Sequence, residues 1–114
     1  MIDNYVTGRY IQINGIVFHN DVKIIAGRVK GDWWRKQGHR LDSADIEDIL
    51  TAQPEVIVIG TGYAEQMKLP ASTRAAISHH GIRIEAAETS QAVQTFNRLF
   101  NEGRKVAGAF HLTC

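Results

Sequence analysis

A chain of 114 residues, 44% of them hydrophobic and 22% charged, has room for one domain with a real core and none for a second. That composition excludes a disordered chain or a repeat array. Thirteen Lys and Arg against twelve Asp and Glu leave a net charge of +1, so no whole-molecule field draws nucleic acid or an anionic membrane. The only cysteine, Cys114, cannot close an intramolecular disulfide, which fits a reducing compartment. No apolar run approaches the roughly 20 residues of a membrane span, and Met1 to Tyr10 carries neither a secretory nor a transit pattern. These features predict a cytoplasmic protein with no membrane partner.

Tyr10 to Ile13, Ile16 to Phe18 and Val22 to Ile25 are short β-type runs broken by Asn14-Gly15 and Asn20-Asp21. Asn-Gly between alternating apolar residues is a strong hairpin signal, so the segment predicts a small antiparallel meander. Gly27 to Leu41 has no sustained period and reads as a crossing loop. Asp42 or Ser43 can cap a helix that carries Ile46, Ile49 and Leu50 on one face and ends before Pro54.

Val56-Ile57-Val58-Ile59 is an unbroken β-branched run, as expected of a strand buried on both faces, and it ends at Gly60-Thr61-Gly62. A helix follows Pro70 and stops at Gly81, and Ile82 to Ala86 forms a short strand. Thr89 is expected to cap a longer helix with Val93, Phe96, Leu99 and Phe100 as its apolar stripe, closed by Gly103. Val106 to Phe110 makes the last strand. Strand, helix, strand, helix, strand predicts a single α/β domain over residues 1–114, with crossovers and a sheet covered by helices.

The order and spacing of several motifs resemble one small family. They are Val58-Ile59-Gly60-Thr61-Gly62 before Lys68-Leu69-Pro70, then His80-Gly81-Ile82, Gln91-Ala92-Val93 with Asn97, Glu102 to Gly108, and Phe110-His111-Leu112-Thr113-Cys114. The chain resembles the domain-of-unknown-function family that includes an adipogenesis-associated cytosolic protein and a mitochondrial complex I assembly factor. The likeness is greatest to the adipogenesis-associated member, through the final His-x-Thr-Cys and Trp33-Trp34, and the chain shows no N-terminal extension of the mitochondrial kind. The resemblance implies a three-layer fold, a mixed central sheet with helices on it and the N-terminal β-meander alongside. It implies no established enzymatic activity, and action through protein partners.

Two segments stand out as candidate sites. Gly60-Thr61-Gly62 lies where a buried strand gives out, and small residues there can expose N–H groups to an anion, with Lys68 and Arg74 adding charge. It is neither a Walker motif nor a dinucleotide fingerprint, which would need a third glycine at Glu65. A tight strand-to-loop turn is the favoured reading of it, since such glycines are frequent in turns. The second segment, Arg28 to Arg40, sets Trp33, Trp34 and Arg35 among further cations, the composition of an interface hot spot. Asp42, Asp45, Glu47, Asp48 and Glu55 follow it, so neutralisation within the fold is expected, one Trp is expected to plug the core, and a protein partner is favoured over nucleic acid.

Metal and catalytic signals are weaker. His79 and His80 are adjacent on a helix and point about 100° apart, and His111 and Cys114, three apart on a strand, would face opposite sides unless the tail is irregular. No metal or cofactor is predicted. Ser72 and Thr73 read as helix caps, no Gly-x-Ser-x-Gly elbow is present, and no catalytic residue is assigned. The leading expectation is a non-enzymatic interaction or assembly factor. The alternative is a small-anion or nucleotide binder, with hydrolase activity as one form of it, that uses the Gly60-Thr61-Gly62 turn.

Overall fold

The computed structural model describes residues 1–114, and the Asn14-Gly15 turn is where the first hairpin closes. Both residues adopt positive φ, 50° and 82°, which matches the right-handed twist of the strands they join. The turn links β2 (Tyr10–Ile13) to β3 (Ile16–Phe18), and β1 (Ile2–Val6) pairs antiparallel with β2 on its other side. The three form a separate small sheet of order β1-β2-β3.

β4 (Val22–Ile25) departs from the predicted meander. It leaves the small sheet and pairs antiparallel with β8 (Val106–His111), setting Val22 opposite Phe110. Val22 and Ile24 are both fully buried, in the same core cluster as Phe96, Phe110 and Ile11. The segment read as a crossing loop contains one more strand, β5 (Arg28–Lys30), which pairs with β4 at the sheet edge. Its exposed Arg28 and Lys30 are the charges that keep an edge strand from pairing with other chains.

The central sheet runs β5-β4-β8-β6-β7, with β6 (Val56–Thr61) parallel to both β8 and β7 (Arg83–Ala87). A 3₁₀ turn at Ser43–Ile46 leads into α1 (Glu47–Ala52), and α2 (Ala71–His79) and α3 (Thr89–Asn101) connect the parallel strands. The single α/β domain with a mixed sheet and three helices is therefore as the sequence predicts.

Strand alternation divides the core between two faces. Val56 and Val58 join Phe96, Leu99, Phe110, Ile11 and Ile13 on the face covered by α3 and the small sheet. Ile57 and Ile59 join Ile46, Ile49, Ile77, Leu41 and Trp33 on the face covered by α1, α2 and the long loop. Asn97 of α3 binds the backbone of Ile2 twice, accepting from its N–H at 3.0 Å and donating to its C=O at 2.8 Å, which fixes the small sheet to the helix. At the start of α3 the cap is Glu88, whose carboxylate accepts from the N–H groups of Ser90 and Gln91, whereas Thr89 is buried inside.

Asp48 of α1 accepts from Lys23 Nζ at both carboxylate oxygens and from Lys30 Nζ, each at 2.9 Å. Burial pushes its carboxyl up, but the hydrogen bonds from the two lysines outweigh this and hold it below its ordinary value. Such a group adds stability above its unfolded pKa, about 4, and loses it as pH falls through the lower folded value. Asp48→Asn is expected to cost up to about 1 kcal/mol at pH 7, its partial exposure screening the pair. In thermal melts the gap between wild type and variant should close between roughly pH 5 and pH 3; a gap that persists at low pH would show that the ion pair is not its source.

Candidate functional site

The strand order β7-β6-β8 means that the chain leaves β6 in one direction through α2 and returns to its other side through α3. The two helices lie on opposite faces, which opens a crevice between the C-terminal ends of β6 and β8, the usual ligand position in such sheets. Gly60-Thr61-Gly62 forms one wall of it, as expected. The crevice is filled by the protein itself.

A Cβ on Gly62, whose φ is 96°, would collide with the Thr113 carbonyl oxygen and with Cys114. The Gly62 N–H donates to Thr89 Oγ1 at 2.9 Å, and the Thr89 hydroxyl in turn donates to the His111 carbonyl. A Cβ on Gly60 would sit 2.9 Å from Thr89 Oγ1 and 3.0 Å from Phe110. These glycines make room for neighbouring chain, and Gly62 has no free N–H for an anion. Thr61 donates its hydroxyl to Ala87 O at 3.1 Å. Lys68 and Arg74 do converge, lining with Thr61 and Glu65 a shallow groove of about 240 Å³, and neither forms a salt bridge.

Next to the filled crevice lies a network centred on Asp21, at the point where the chain crosses from the small sheet to β4. Asp21 Oδ2 accepts from Arg35 Nη1 and lies against His111 Nδ1, both at 2.7 Å, while Oδ1 accepts from the Leu112 N–H at 2.8 Å. Burial pushes the Asp21 carboxyl up, yet the bonds from His111, Leu112 and Arg35 prevail and hold it below its ordinary value. Arg35 also donates through Nε and Nη2 to Gly38 O, at 3.0 and 2.7 Å. A pocket of about 310 Å³ opens over this network, lined by Asp21, Trp34, Arg35, His39 and His111 among others.

The structure separates the predicted interface residues. Trp33 is only 6% exposed and belongs to the second core, with its Nε1–H donating to Asp45 O at 3.2 Å and Lys23 Nζ and Arg35 Cζ lying 5.6 and 4.9 Å from its ring centre. The Arg35 side chain is just as buried, at 4%. Trp34, between them, is 75% exposed, so it alone of the three faces solvent. Three of the five cations of the segment are neutralised within the fold, Lys30 by Asp48, Arg35 by Asp21 and Arg40 by Asp42, whereas Arg28 and Lys36 form no salt bridge.

His111 and Cys114 meet, contrary to the strand-based expectation. β8 ends at His111, and the following residues turn back over Gly62, with Cys114 O accepting from Gln66 N–H at 3.0 Å. His39 arrives from the long loop, pinned where its carbonyl accepts from Lys68 N–H at 2.7 Å. The ligand atoms of His39, His111 and Cys114 all lie within 4.8 Å of one another. The sequence offers His111 and Cys114 as a pair only if the tail is irregular, and nothing in it signals His39, which comes from a separate segment. His79 and His80 remain exposed on α2, and Thr73, read as a cap, donates its hydroxyl to Leu41 O at 2.8 Å. The largest groove, about 460 Å³, lies at the other end of the sheet between turns; it includes Phe100 and Arg104, the latter paired with Glu55.

Gly62→Ala tests the filled crevice. Its Cβ has no room, so a loss of about 1–3 kcal/mol is expected, together with faster reaction of Cys114 with thiol reagents as the last residues are displaced. A variant that melts like wild type with an equally protected thiol would refute this packing.

Comparison with known proteins gives the same architecture. A conserved hypothetical protein from Pyrococcus horikoshii superposes with a TM-score of 0.84 at 21% identity, covering 100% of this chain and 99% of its own, which shows the fold alone. A Bartonella henselae protein described as an outer membrane protein matches at 29% identity and a TM-score of 0.84, covering 99% and 94% of the two chains. A Bordetella parapertussis protein matches at 27% and 0.83, covering 97% and 93%. No helix of the present chain is long and apolar enough to cross a membrane. The family described as "Protein of unknown function (DUF498/DUF598)" matches residues 2–111, nearly the whole length, and the chain belongs to that family.

Proposed function

We propose that the protein is a cytoplasmic interaction module that engages a protein partner through Trp34. The observation that carries this reading is the 75% exposure of Trp34 between two buried neighbours, Trp33 and Arg35. A large aromatic presented on a fixed backbone loses little conformational freedom on binding, which is why Trp is enriched among interface hot spots.

Its surroundings support the reading. The turn before β4 is tied to the Trp-bearing loop by a 2.7 Å bond from Asn20 Nδ2 to Asp32 Oδ1, and Phe18 lies so close to Gly31 that a Cβ there would be 2.8 Å away. That brings the loop against the end of β3, an unpaired edge on which Ile16 and Val17 are 60% and 44% exposed. Trp34 with an open strand edge offers a partner an anchor and a backbone to pair with. An assembly or scaffold role, of the kind the resemblance to the adipogenesis-associated and complex I assembly proteins suggests, is the form of this proposal that needs no chemistry at the site.

Affinity purification with wild type, Trp34→Ala and a Phe100→Ala control tests it. Trp34→Ala is at an exposed position and should change stability by less than about 0.5 kcal/mol, whereas Phe100→Ala removes a ring stacked on Phe96 and so controls for loss of an aromatic at some cost in stability. A partner recovered with wild type and control is expected to be lost with Trp34→Ala, a hot-spot effect of about 2 kcal/mol or more. Equal recovery by all three would exclude Trp34 as the anchor.

A further inference from the structure

The buried His111 ring has one nitrogen that the fold accounts for and one that it does not. Nδ1 lies 2.7 Å from Asp21 Oδ2, a contact between a ring nitrogen and a carboxylate that places the ring proton on Nδ1. Arg35 Nη2 also lies 3.0 Å from this nitrogen and donates to Gly38 O at 2.7 Å, but the shorter contact to a carboxylate oxygen, which can only accept, decides the proton's place. The lone pair therefore sits on Nε2, which is buried and has no hydrogen-bond partner. The side chain is only 7% exposed, so bulk water does not solvate this atom. An orphaned buried acceptor in an otherwise satisfied network calls for an explanation.

We propose that His39, His111 and Cys114 bind a divalent transition metal of the zinc class, with Asp21 orienting His111. Two imidazoles and one thiolate are a donor set that zinc favours, and three protein ligands leave a fourth position for water or an exogenous group. Bond lengths of about 2.0–2.3 Å put the ligand atoms of a tetrahedral site roughly 3.5 Å apart. The observed limit of 4.8 Å is within reach of small side-chain adjustments. A carboxylate on the far nitrogen of a ligating histidine is a recurrent outer-shell arrangement that fixes the tautomer and orients the ring, and Asp21 supplies it.

Each ligand is held by its own backbone anchor. His39 is fixed through Lys68 N–H, His111 through the pairing of β8 with Thr61 of β6, and Cys114 through Gln66 N–H. His39 and His111 both line the 310 Å³ pocket, which gives a small ligand access to the open position. The Cys114 thiolate offsets one of the two added positive charges, while the nearby Arg35 is already neutralised by Asp21 at 2.7 Å. A cysteine nucleophile with His111 as its base accounts for less. Nε2 makes no hydrogen bond to Cys114, and the convergence of His39 would have no role.

The proposal is independent of the Trp34 reading. It is tested on the full chain, stripped with a chelator, kept reduced and titrated with Co²⁺ as a spectroscopic probe. One equivalent should bind, with the visible bands of low-coordinate cobalt and a near-ultraviolet thiolate-to-cobalt charge-transfer band, both removed by Zn²⁺. Cys114→Ser should lose the charge-transfer band. His39→Ala, at an exposed side chain, should melt like wild type without metal and bind cobalt about tenfold or more weakly. His111→Ala is avoided because it removes a buried partner of Asp21. Absence of the charge-transfer band in wild type, or affinities unchanged in both variants, would overturn the proposal.

Discussion

The carboxylate of Asp21 ties together three parts of the chain at the point where the pairing of β4 with β8 brings them close. It stands where the chain leaves the small sheet for the central one, and it binds the Leu112 N–H, the Arg35 guanidinium and the His111 ring. One group thus fixes the start of β4, the exit of β8 and the course of the long loop. A buried carboxylate is costly unless it is fully paired. Here both oxygens are engaged, and the bonds outweigh burial in setting its protonation. Removing any one partner would leave charge or hydrogen-bonding capacity unmet at a largely buried carboxylate.

A second constraint follows from the first. With Leu112 tied to Asp21, the next residues pass across the ends of β6 and β8, and only a glycine at position 62 lets them through. The Thr89 hydroxyl seals the base of the crevice by linking Gly62 to His111. The fold keeps the strand order that creates a ligand crevice and then occupies it with its own chain. Open space is displaced sideways, into the pocket that Asp21, Arg35, His39 and His111 line.

The parts legible in the sequence are those where local pattern and burial agree. Val56 to Ile59 reads as a buried strand because β-branched residues face both halves of the core, and the hairpin at Asn14-Gly15 is written in residues that tolerate positive φ. β1 was hidden by Asp3 and Asn4, poor strand formers beside an irregularity in its pairing with β2. β5 was hidden because its turn uses Ala26 in a left-handed conformation, φ 50°, where no turn signal is expected. Phe100 fits the apolar stripe of α3 by spacing yet is 40% exposed, since it falls at the margin of the buried face. The site was illegible for a different reason. Asp21, Arg35, His39, His111 and Cys114 come from three separated stretches, and it is β4 pairing with β8, not any local motif, that brings the first and last together.

The adjacent tryptophans differ sharply in burial. From Trp33 to Arg35 side chains alternate in, out and in, with position 34 left to face solvent between two buried side chains. Folding alone places no demand for an apolar side chain there, and a polar residue would serve the monomer as well. The loop is also fixed on either side, by Trp33 and Arg35 before Gly38 and by the bonds of His39 and Leu41 to Lys68 after it. An aromatic ring of this size, held outward on an anchored loop, contributes little to the stability of the isolated chain, so its replacement can be read for binding without first being read for folding.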